Sequence, residues 1–428
     1  MAAPDRSKAP QVYSFAPLEI TPDSVELLSP GKTLHFLRGG DQQLARLTLM
    51  WEGGTLETPR NSLSTFVIED MREGTPTHSG ADIADAIDFA GARLTPRISE
   101  HYTGVDLLAI SSRLPDLLPL IYDMAVNAVY SPETVAVTAR KLAGALSTKM
   151  ARVAYPAACA LQAAMTGPDH RAALTELPQQ IADTTRDDVL AARNTIIGNG
   201  RLHAFLTGNF DDSILGAVRE LVKSFPAASA QSPISLVPYS PSAPSRLDLP
   251  HPGALQAAVA MGIPTIGRNH PDYIPLRLAV IALGGYFSSR LMTNIREEKG
   301  LTYGINASLL GTLEGASMRI SAQCDKANVE QVIDETRAEI RSLVTAPPSG
   351  DELHRLKLNA WTSLAATVDS PLSMMNYYIT ALDVGTGDDY FARQLKVIES
   401  LSPDDIARVA EAYLDVDKLS VVTCGAVD

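Results

Sequence analysis

An arginine and a tyrosine seven positions apart are the residues of this chain whose types and spacing are best suited to chemistry. Arg296 and Tyr303 belong to the segment 284–303, GGYFSSRLMTNIREEKGLTY. Both side chains donate hydrogen bonds, and only the arginine is charged, so together they could hold a peptide carbonyl oxygen or the oxyanion that develops from it. The same two residues could also serve only helix-dipole compensation and packing.

The surrounding residues predict the elements that position this pair. Phe287, Leu291 and Ile295 recur every four residues, which predicts the buried stripe of a helix that ends at Gly300. Residues 301–309 then predict a strand. We expect the short reversal between helix and strand to bring the guanidinium and the phenol together.

This segment resembles the one that holds the Arg/Tyr pair in the M16 family of zinc peptidases, the pitrilysin, insulinase-like and mitochondrial processing peptidase types. In that family the arginine precedes the tyrosine by seven positions in an R-E-x-x-G-L-x-Y pattern, as Arg296 precedes Tyr303 here. The resemblance covers nearly the whole chain. It implies that these two residues bind substrate by orienting the scissile carbonyl and stabilising the tetrahedral oxyanion.

Catalytic members of the family also carry an H-x-x-E-H helix followed by Gly-Thr. Its two histidines and a later glutamate hold zinc, and the glutamate within the helix is the general base. When this chain is aligned through Gly74 and Thr75, Thr65, Ile68 and Glu69 stand where His, Glu and His are expected. These residue types supply neither an imidazole nor a suitable base in the required register.

The later zinc ligand is missing as well. Gly144 and Ala145 occupy the positions where the family usually carries paired glutamates. The eight histidines of the chain include no pair at i, i+3 or i+4 with a carboxylate partner. We therefore expect no metal or other cofactor in this chain, no catalytic residue that acts alone, and zinc in a partner subunit.

The chain repeats itself over a distance of 217 residues. Residues 181–189, IADTTRDDV, resemble residues 398–406, IESLSPDDI, and both run through a helix into an apolar strand that ends in glycine. Thr185 and Ser402 are placed to cap their helices, with acidic residues in the first turn where the helix dipole favours negative charge. A register kept through loop, helix and strand indicates two tandem copies of one domain.

The two copies are separated by a segment dense in Pro, Ser and Ala that shows no periodicity, as is typical of an extended linker. We expect a first domain over residues 1–225 with the degenerate zinc positions, a linker over 226–245, and a second domain over 246–428 with the Arg/Tyr pair. Each copy runs from strands through amphipathic helices back to strands, so the fold class is α/β (α+β). The resemblance implies mostly antiparallel sheets packed with helices, arranged as a half-shell in the M16/LuxS-like metallohydrolase fold.

Composition excludes several other classes of function. The 428 residues suit two domains of roughly 200 residues each, and 45% hydrophobic with 20% charged residues is typical of a globular protein. A net charge of −13 without clustered Lys and Arg opposes nucleic-acid binding. No apolar run predicts a membrane span, and the absence of a signal peptide favours the cytoplasm, or the periplasm if a leader was removed.

Two functional hypotheses remain. In the first, the chain is the non-catalytic, substrate-binding subunit of a heterodimeric M16-type zinc metallopeptidase, whose partner carries H-x-x-E-H and whose substrate is an extended or unfolded peptide, held partly by strand addition to a sheet edge. In the second, it is an inactive scaffold or a peptide-binding homodimer that resembles the core subunits of respiratory complexes. Retention of both Arg296 and Tyr303 favours the first.

Overall fold

The computed structural model describes residues 17–228 and 232–427, in which eleven strands form two sheets. The first sheet has the strand order β1-β2-β6-β3-β5-β4, and only β2 and β6 are parallel. Its strands are β1 Ser24–Ser29, β2 Lys32–Arg38, β3 Leu44–Glu52, β4 Arg93–Ile98, β5 Tyr102–Ile110 and β6 Leu202–Gly208.

The second sheet repeats this plan with five strands in the order β7-β11-β8-β10-β9, of which only β7 and β11 are parallel. Its strands are β7 Arg246–Leu249, β8 Ala257–Thr265, β9 Thr302–Gly311, β10 Ala316–Cys324 and β11 Ser420–Cys424. Both sheets are therefore mostly antiparallel, and helices cover them, which confirms the predicted fold class.

The helices occur in groups between the strands, and five consecutive α-helices precede the last strand of each half. The α-helices of the described residues are α1 Leu63–Asp70, α2 Gly80–Phe89, α3 Leu114–Asn127, α4 Pro132–Met150, α5 Ala154–Thr166, α6 Pro178–Ala182, α7 Arg186–Arg193, α8 Asp212–Ser224, α9 Tyr273–Gly284, α10 Val329–Thr345, α11 Gly350–Ala365, α12 Pro371–Val384, α13 Tyr390–Ser400 and α14 Pro403–Tyr413. Two π-helices span Asn194–Gly198 and Met292–Glu298. No helix within residues 17–228 and 232–427 has both the length and the apolar character that crossing a membrane requires.

The predicted helix caps are present in both copies. Thr185 and Asp188 form a reciprocal capping box at the start of α7, and Ser402 and Asp405 form the same box at the start of α14. In each box the hydroxyl accepts from the backbone N–H of the aspartate, whose carboxylate accepts from the backbone N–H of the cap. The register of the sequence repeat is thus kept in the hydrogen bonds.

The central strand of the first sheet is buried on both faces. Leu47 and Leu49 of β3 join the core formed with α1, α3 and α8, whereas Met50 faces the opposite side and packs with Met375 and Ile379 of α12. Successive strand residues point to opposite faces. The face of β3 towards α1, α3 and α8 is therefore apolar. The opposite face also carries Arg46 and is covered by α12, a helix from the C-terminal half of the chain, where Arg46 donates to the carbonyl of Leu372.

The second sheet is covered in the reciprocal way. Val259 and Met261 of β8 belong to the core formed with α9, α10 and α14, whereas Ala260 packs with Leu161 and Met165 of α5. Helix α5 comes from the N-terminal half of the chain. Each sheet thus receives a helix from the other half, which interlocks the two halves through buried apolar contacts.

The segment between the sheets, residues 226–245, contains no helix or strand in its described part. It is held at several points by hydrogen bonds. The backbone N–H of Tyr239 donates to the carbonyl of Glu314, and that of Ser240 donates to the carbonyl of Thr166 at the end of α5. These bonds place the segment between α5 and the turn that joins β9 to β10.

Candidate functional site

Tyr303 lies at the start of β9, the strand at one end of the second sheet. Its side chain is 91% exposed. The pairing of β9 with β10 shifts register between Ala322 and Cys324, opposite Tyr303. Thr302 holds this irregularity, because its hydroxyl donates to the carbonyl of Gln323 at 2.6 Å. A bulge of this kind redirects the side chain next to it, and here the phenol points away from the core.

Arg296 lies in the π-helix Met292–Glu298. Its guanidinium carbon is 5.1 Å from the centroid of the Phe287 ring, and its Nη1 is 3.8 Å from the Glu297 carboxylate. Leu291 and Ile295 are fully buried, as predicted, but the prediction for Phe287 is wrong: its side chain is 63% exposed. Phe287 lies in the turn before the helix begins, so the helical spacing does not apply to it.

The two donors do not bond to each other. Gly300, with φ +61°, ends the helical segment and reverses the chain between them, as predicted. Within the described residues, however, no hydrogen bond joins the Arg296 guanidinium to the Tyr303 phenol. Arg296 is about one-third exposed. The structure therefore places both donors on one helix-to-strand connection, where each can be reached from solvent.

A cavity of about 490 Å³ opens beside the edge strand. Tyr303, Gly304 and Asn306 of β9 line one side of it, and Ala157 and Ala158 of α5 line another. Because the residues contributed by α5 are alanines, the helix leaves room over the sheet. The phenol of the predicted pair thus borders a concave surface next to a sheet edge.

The positions aligned with the family's zinc ligands lie on α1 and α4. Thr65 and Ala145 line one cavity of about 440 Å³. Ile68 is 2% exposed and belongs to the first core. Glu69 pairs with Lys141 at 3.0 Å across the two helices. A Cβ placed on Gly144 would meet nothing within 4 Å.

The residues around this second cavity do not fit a zinc ion held in the family's way. None of the described residues that line it is a histidine. Glu176, the carboxylate among them, accepts hydrogen bonds from both the backbone N–H and the hydroxyl of Ser62 at 2.7 Å each, which caps the start of α1. Thr65 offers a neutral hydroxyl, Ile68 an alkyl group, and Glu69 a carboxylate already paired with a lysine.

Two ionisable groups with shifted pKa values lie beside the Gly-Thr turn after α1, Asp123 of α3 and Asp70 of α1. Thr75 and Thr77 donate to Asp123 at 2.6 and 2.7 Å. Burial opposes ionisation of Asp123, but these bonds, with one from Asn127, lower the pKa of Asp123 to about 2. Burial raises the pKa of Asp70, at the end of α1, to about 6, against the effect of a 2.5 Å hydrogen bond from Thr138.

One buried cluster was not predicted from the sequence. Glu100 and His101, on the turn between β4 and β5, lie beside Glu314 on the turn between β9 and β10. Glu314 is more than two hundred residues away in the chain, so no local spacing points to the cluster. The only signal in the sequence is the neighbouring Glu and His in a turn between two strands.

The chain is similar in sequence and in structure to several known proteins. Residues 183–359 match the family described as the peptidase M16 inactive domain. A protein of Streptomyces coelicolor named as an uncharacterised zinc protease is 24% identical over 395 residues, which are 85% of this chain and 80% of that protein. The crystal structure of a peptidase M16 inactive domain from Pseudomonas fluorescens matches with a TM-score of 0.84 and 17% identity over 94% of this chain and 98% of that one. The periplasmic protease PqqL of Escherichia coli matches with a TM-score of 0.78 and 17% identity over 96% of this chain and 47% of that protein.

At 17% identity, the two solved structures establish the fold, a mixed α/β arrangement of two helix-covered sheets like that of the M16 inactive domain. The matched segment includes both Arg296 and Tyr303. Residues 183–359 are thus similar to a peptidase M16 domain, and most of the chain is similar to a protein named as a zinc protease.

Proposed function

We propose that this chain is the substrate-binding subunit of a two-chain M16-type zinc metallopeptidase, in which the partner subunit carries H-x-x-E-H and the zinc. Within it, residues 1–225 and 246–428 act as the two homologous units. The observation that carries the proposal is the position of Tyr303, exposed at the start of an edge strand and beside a cavity. Arg296 lies on the same connection.

The edge of the second sheet suits an extended peptide. β9 pairs with β10 and ends the sheet, so no strand among the described residues pairs with its outer edge. Free N–H and C=O groups on such an edge can add a peptide as a further strand. In the proposed complex, the guanidinium of Arg296 and the hydroxyl of Tyr303 donate to the carbonyl oxygen of the peptide bond to be cleaved.

Hydrolysis needs a second chain because α1 cannot activate water. Thr65 and Ile68 stand at the positions of one imidazole and of the general base, and Glu69 is paired with Lys141. In the proposal, the zinc of the partner supplies the nucleophilic water and this chain supplies the donors for the developing oxyanion. That E. coli PqqL is matched over 47% of its length is consistent with a peptidase built from two units of this size.

The proposal is tested by peptide hydrolysis with three preparations: this chain alone, the chain with an H-x-x-E-H homologue from the same organism, and the same pair carrying Arg296→Ala. An unfolded polypeptide serves as substrate. We expect no cleavage, cleavage, and a loss of kcat on the order of 10²-fold, the magnitude of losing one oxyanion donor. Tyr303→Phe, which removes only the hydroxyl, is expected to lower kcat in the same direction.

Arg337→Ala is the matched control, since Arg337 is a surface arginine of α10 whose charged partner, Asp334, lies one helical turn away at 3.6 Å. It is expected to leave kcat unchanged. Full turnover by the Arg296→Ala pair would exclude the proposed role of the arginine. If no H-x-x-E-H homologue associates with the chain, and the chain binds peptide as a homodimer or binds none, the scaffold hypothesis replaces the proposal.

A further inference from the structure

Two turns from different sheets meet in the interior of the molecule. The turn between β4 and β5 contributes Glu100 and His101, and the turn between β9 and β10 contributes Glu314. One potential ligand atom from each of the three residues lies within 4.8 Å of the other two. Two carboxylates and an imidazole within this distance are a set of ligands that divalent metal ions use.

The imidazole of His101 is oriented as in a metal site. Its Nδ1 lies 2.7 Å from Oε1 of Glu57, and the two side chains are 1% and 4% exposed. Nδ1 therefore donates its proton to a buried carboxylate, which leaves the lone pair on Nε2. Nε2 is buried and has no hydrogen-bond partner in the described part of the chain. A carboxylate on the far nitrogen is the usual companion of a metal-bound histidine.

Glu314 also offers a carboxylate oxygen as a ligand. Its Oε1 accepts from the backbone N–H of Val237 at 2.9 Å, whereas its buried Oε2 has no hydrogen-bond partner among the described residues. Nε2 of His170 lies 3.4 Å from that oxygen but is closer, at 2.9 Å, to the carbonyl of Val237. Nδ1 of His170 accepts from the backbone N–H of Ala172. The proton of His170 is therefore on Nε2 and is directed to the carbonyl.

The charges around the cluster also favour a cation. Burial raises the pKa of Glu100, and the carboxylates of Glu314 and Asp383 raise it further. Burial of His101 opposes its charged form, but the hydrogen bond to Glu57 and the neighbouring carboxylates raise the pKa of His101. Buried carboxylates without enough positive charge beside them attract either a proton on Nε2 of His101 or a metal ion. The proton and the metal ion compete for the same lone pair of Nε2.

We propose that Glu100, His101 and Glu314 bind one divalent transition-metal ion of the zinc or manganese class, with Glu57 as the residue that positions His101. The ion ties the β4–β5 turn to the β9–β10 turn and so joins the two sheets of the chain. His101 and Glu314 are almost fully buried, and the cluster is built from none of the residues at the family's zinc positions on α1 and α4. Its role is therefore structural, and it does not depend on the proposed peptidase partnership.

Metal content and metal affinity of the full chain test this proposal directly. The chain is purified, stripped with a chelator, and titrated separately with Zn²⁺, Co²⁺ and Mn²⁺ by calorimetry, with the Co²⁺ absorption spectrum as a second readout. We expect one site per chain, a Co²⁺ spectrum with nitrogen and oxygen ligands, and a higher Tm when the metal is bound. Bound metal without any gain in peptide hydrolysis separates this site from the proposed catalytic zinc of the partner.

Variants identify the ligands. His101→Gln and Glu314→Gln are each expected to weaken binding at least 100-fold, and Glu57→Gln, which leaves all three ligands in place, 10- to 100-fold. His203→Gln is the matched control, because His203 forms a comparable partly buried pair with Glu52, at 3.4 Å, outside the cluster. It should leave affinity unchanged. Absence of a calorimetric isotherm in the folded wild-type chain, or equal affinity in wild type, His101→Gln and Glu57→Gln, would overturn the proposal.

Discussion

Replacement of Asp70 by asparagine tests the electrostatics of the turn that follows α1. Asp70 is almost fully buried, and Thr138 donates to its Oδ1 at 2.5 Å, while its Oδ2 has no hydrogen bond within the described residues. Burial raises the pKa of its carboxyl from 3.8 to about 6. Asparagine keeps the acceptor for Thr138 and removes the charge, so the pH dependence of its effect isolates the cost of ionising this group.

The pKa difference sets the size and the direction of the effect. Because the folded state holds the proton more tightly than the unfolded state, stability falls as the pH rises from about 4 to above 6. A shift of roughly two units corresponds to about 3 kcal/mol, of which about half is already lost at pH 5. We therefore expect the effect of Asp70→Asn on the free energy of unfolding to be about 1.4 kcal/mol more stabilising at pH 8 than at pH 5.

Urea denaturation at the two pH values measures this difference, since urea adds no charge. Asp123→Asn is the control, because the hydrogen bonds that outweigh burial lower the pKa of Asp123 to about 2. The stabilisation that ionised Asp123 provides is complete above its pKa of 3.8 in the unfolded chain and is lost only as the pH falls towards 2. This control should destabilise the chain at both pH values. An Asp70→Asn effect of the same size at pH 5 and pH 8 would refute the argument.

Further predictions concern α12 and α5, which each cover the sheet of the other half, and the helix caps. Met375→Ala is expected to lower the free energy of unfolding by about 2–5 kcal/mol and to lower hydrogen-exchange protection in β6. Leu161→Ala should lower the free energy of unfolding by a similar amount and reduce protection in β11. Val137 is exposed, so Val137→Ala should change the free energy of unfolding by less than about 0.5 kcal/mol. Loss of protection confined to the half that contains the substituted residue would contradict the covering of each sheet by a helix from the other half. Thr185→Ala and Ser402→Ala should each cost about 1 kcal/mol in urea denaturation, and a null effect for either would deny its capping box.

The local signals in the sequence were sufficient for the parts of the fold that depend on neighbouring residues. The caps at Thr185 and Ser402, the stop at Gly300 and the apolar terminal strands of the two copies, β6 and β11, were all predicted and are present. Each rests on hydrogen bonds or apolar patterns within a few residues, and such signals act in the same way in any surrounding. The function proposed for Arg296 and Tyr303 rests instead on the resemblance and stays a prediction.

Features that depend on packing were predicted less well. The spacing of Phe287 with Leu291 and Ile295 is helical, yet Phe287 precedes the helix and its ring lies under the Arg296 guanidinium. The π-helical segment around Arg296 was not predicted either. A π turn is stabilised by the contacts around it, and its residues have no distinctive spacing of their own.

By itself, the sequence determined that the chain contains two copies of one α/β plan, where some of their strands and caps lie, and that α1 carries no imidazole. An apolar pattern specifies that a face must be buried, because water disfavours it, but not which element buries it. Only the tertiary structure decided that α5 covers the second sheet, that α12 covers the first, and that Glu314 meets His101. Contacts between residues this far apart depend on the path of the whole chain, which no local spacing encodes.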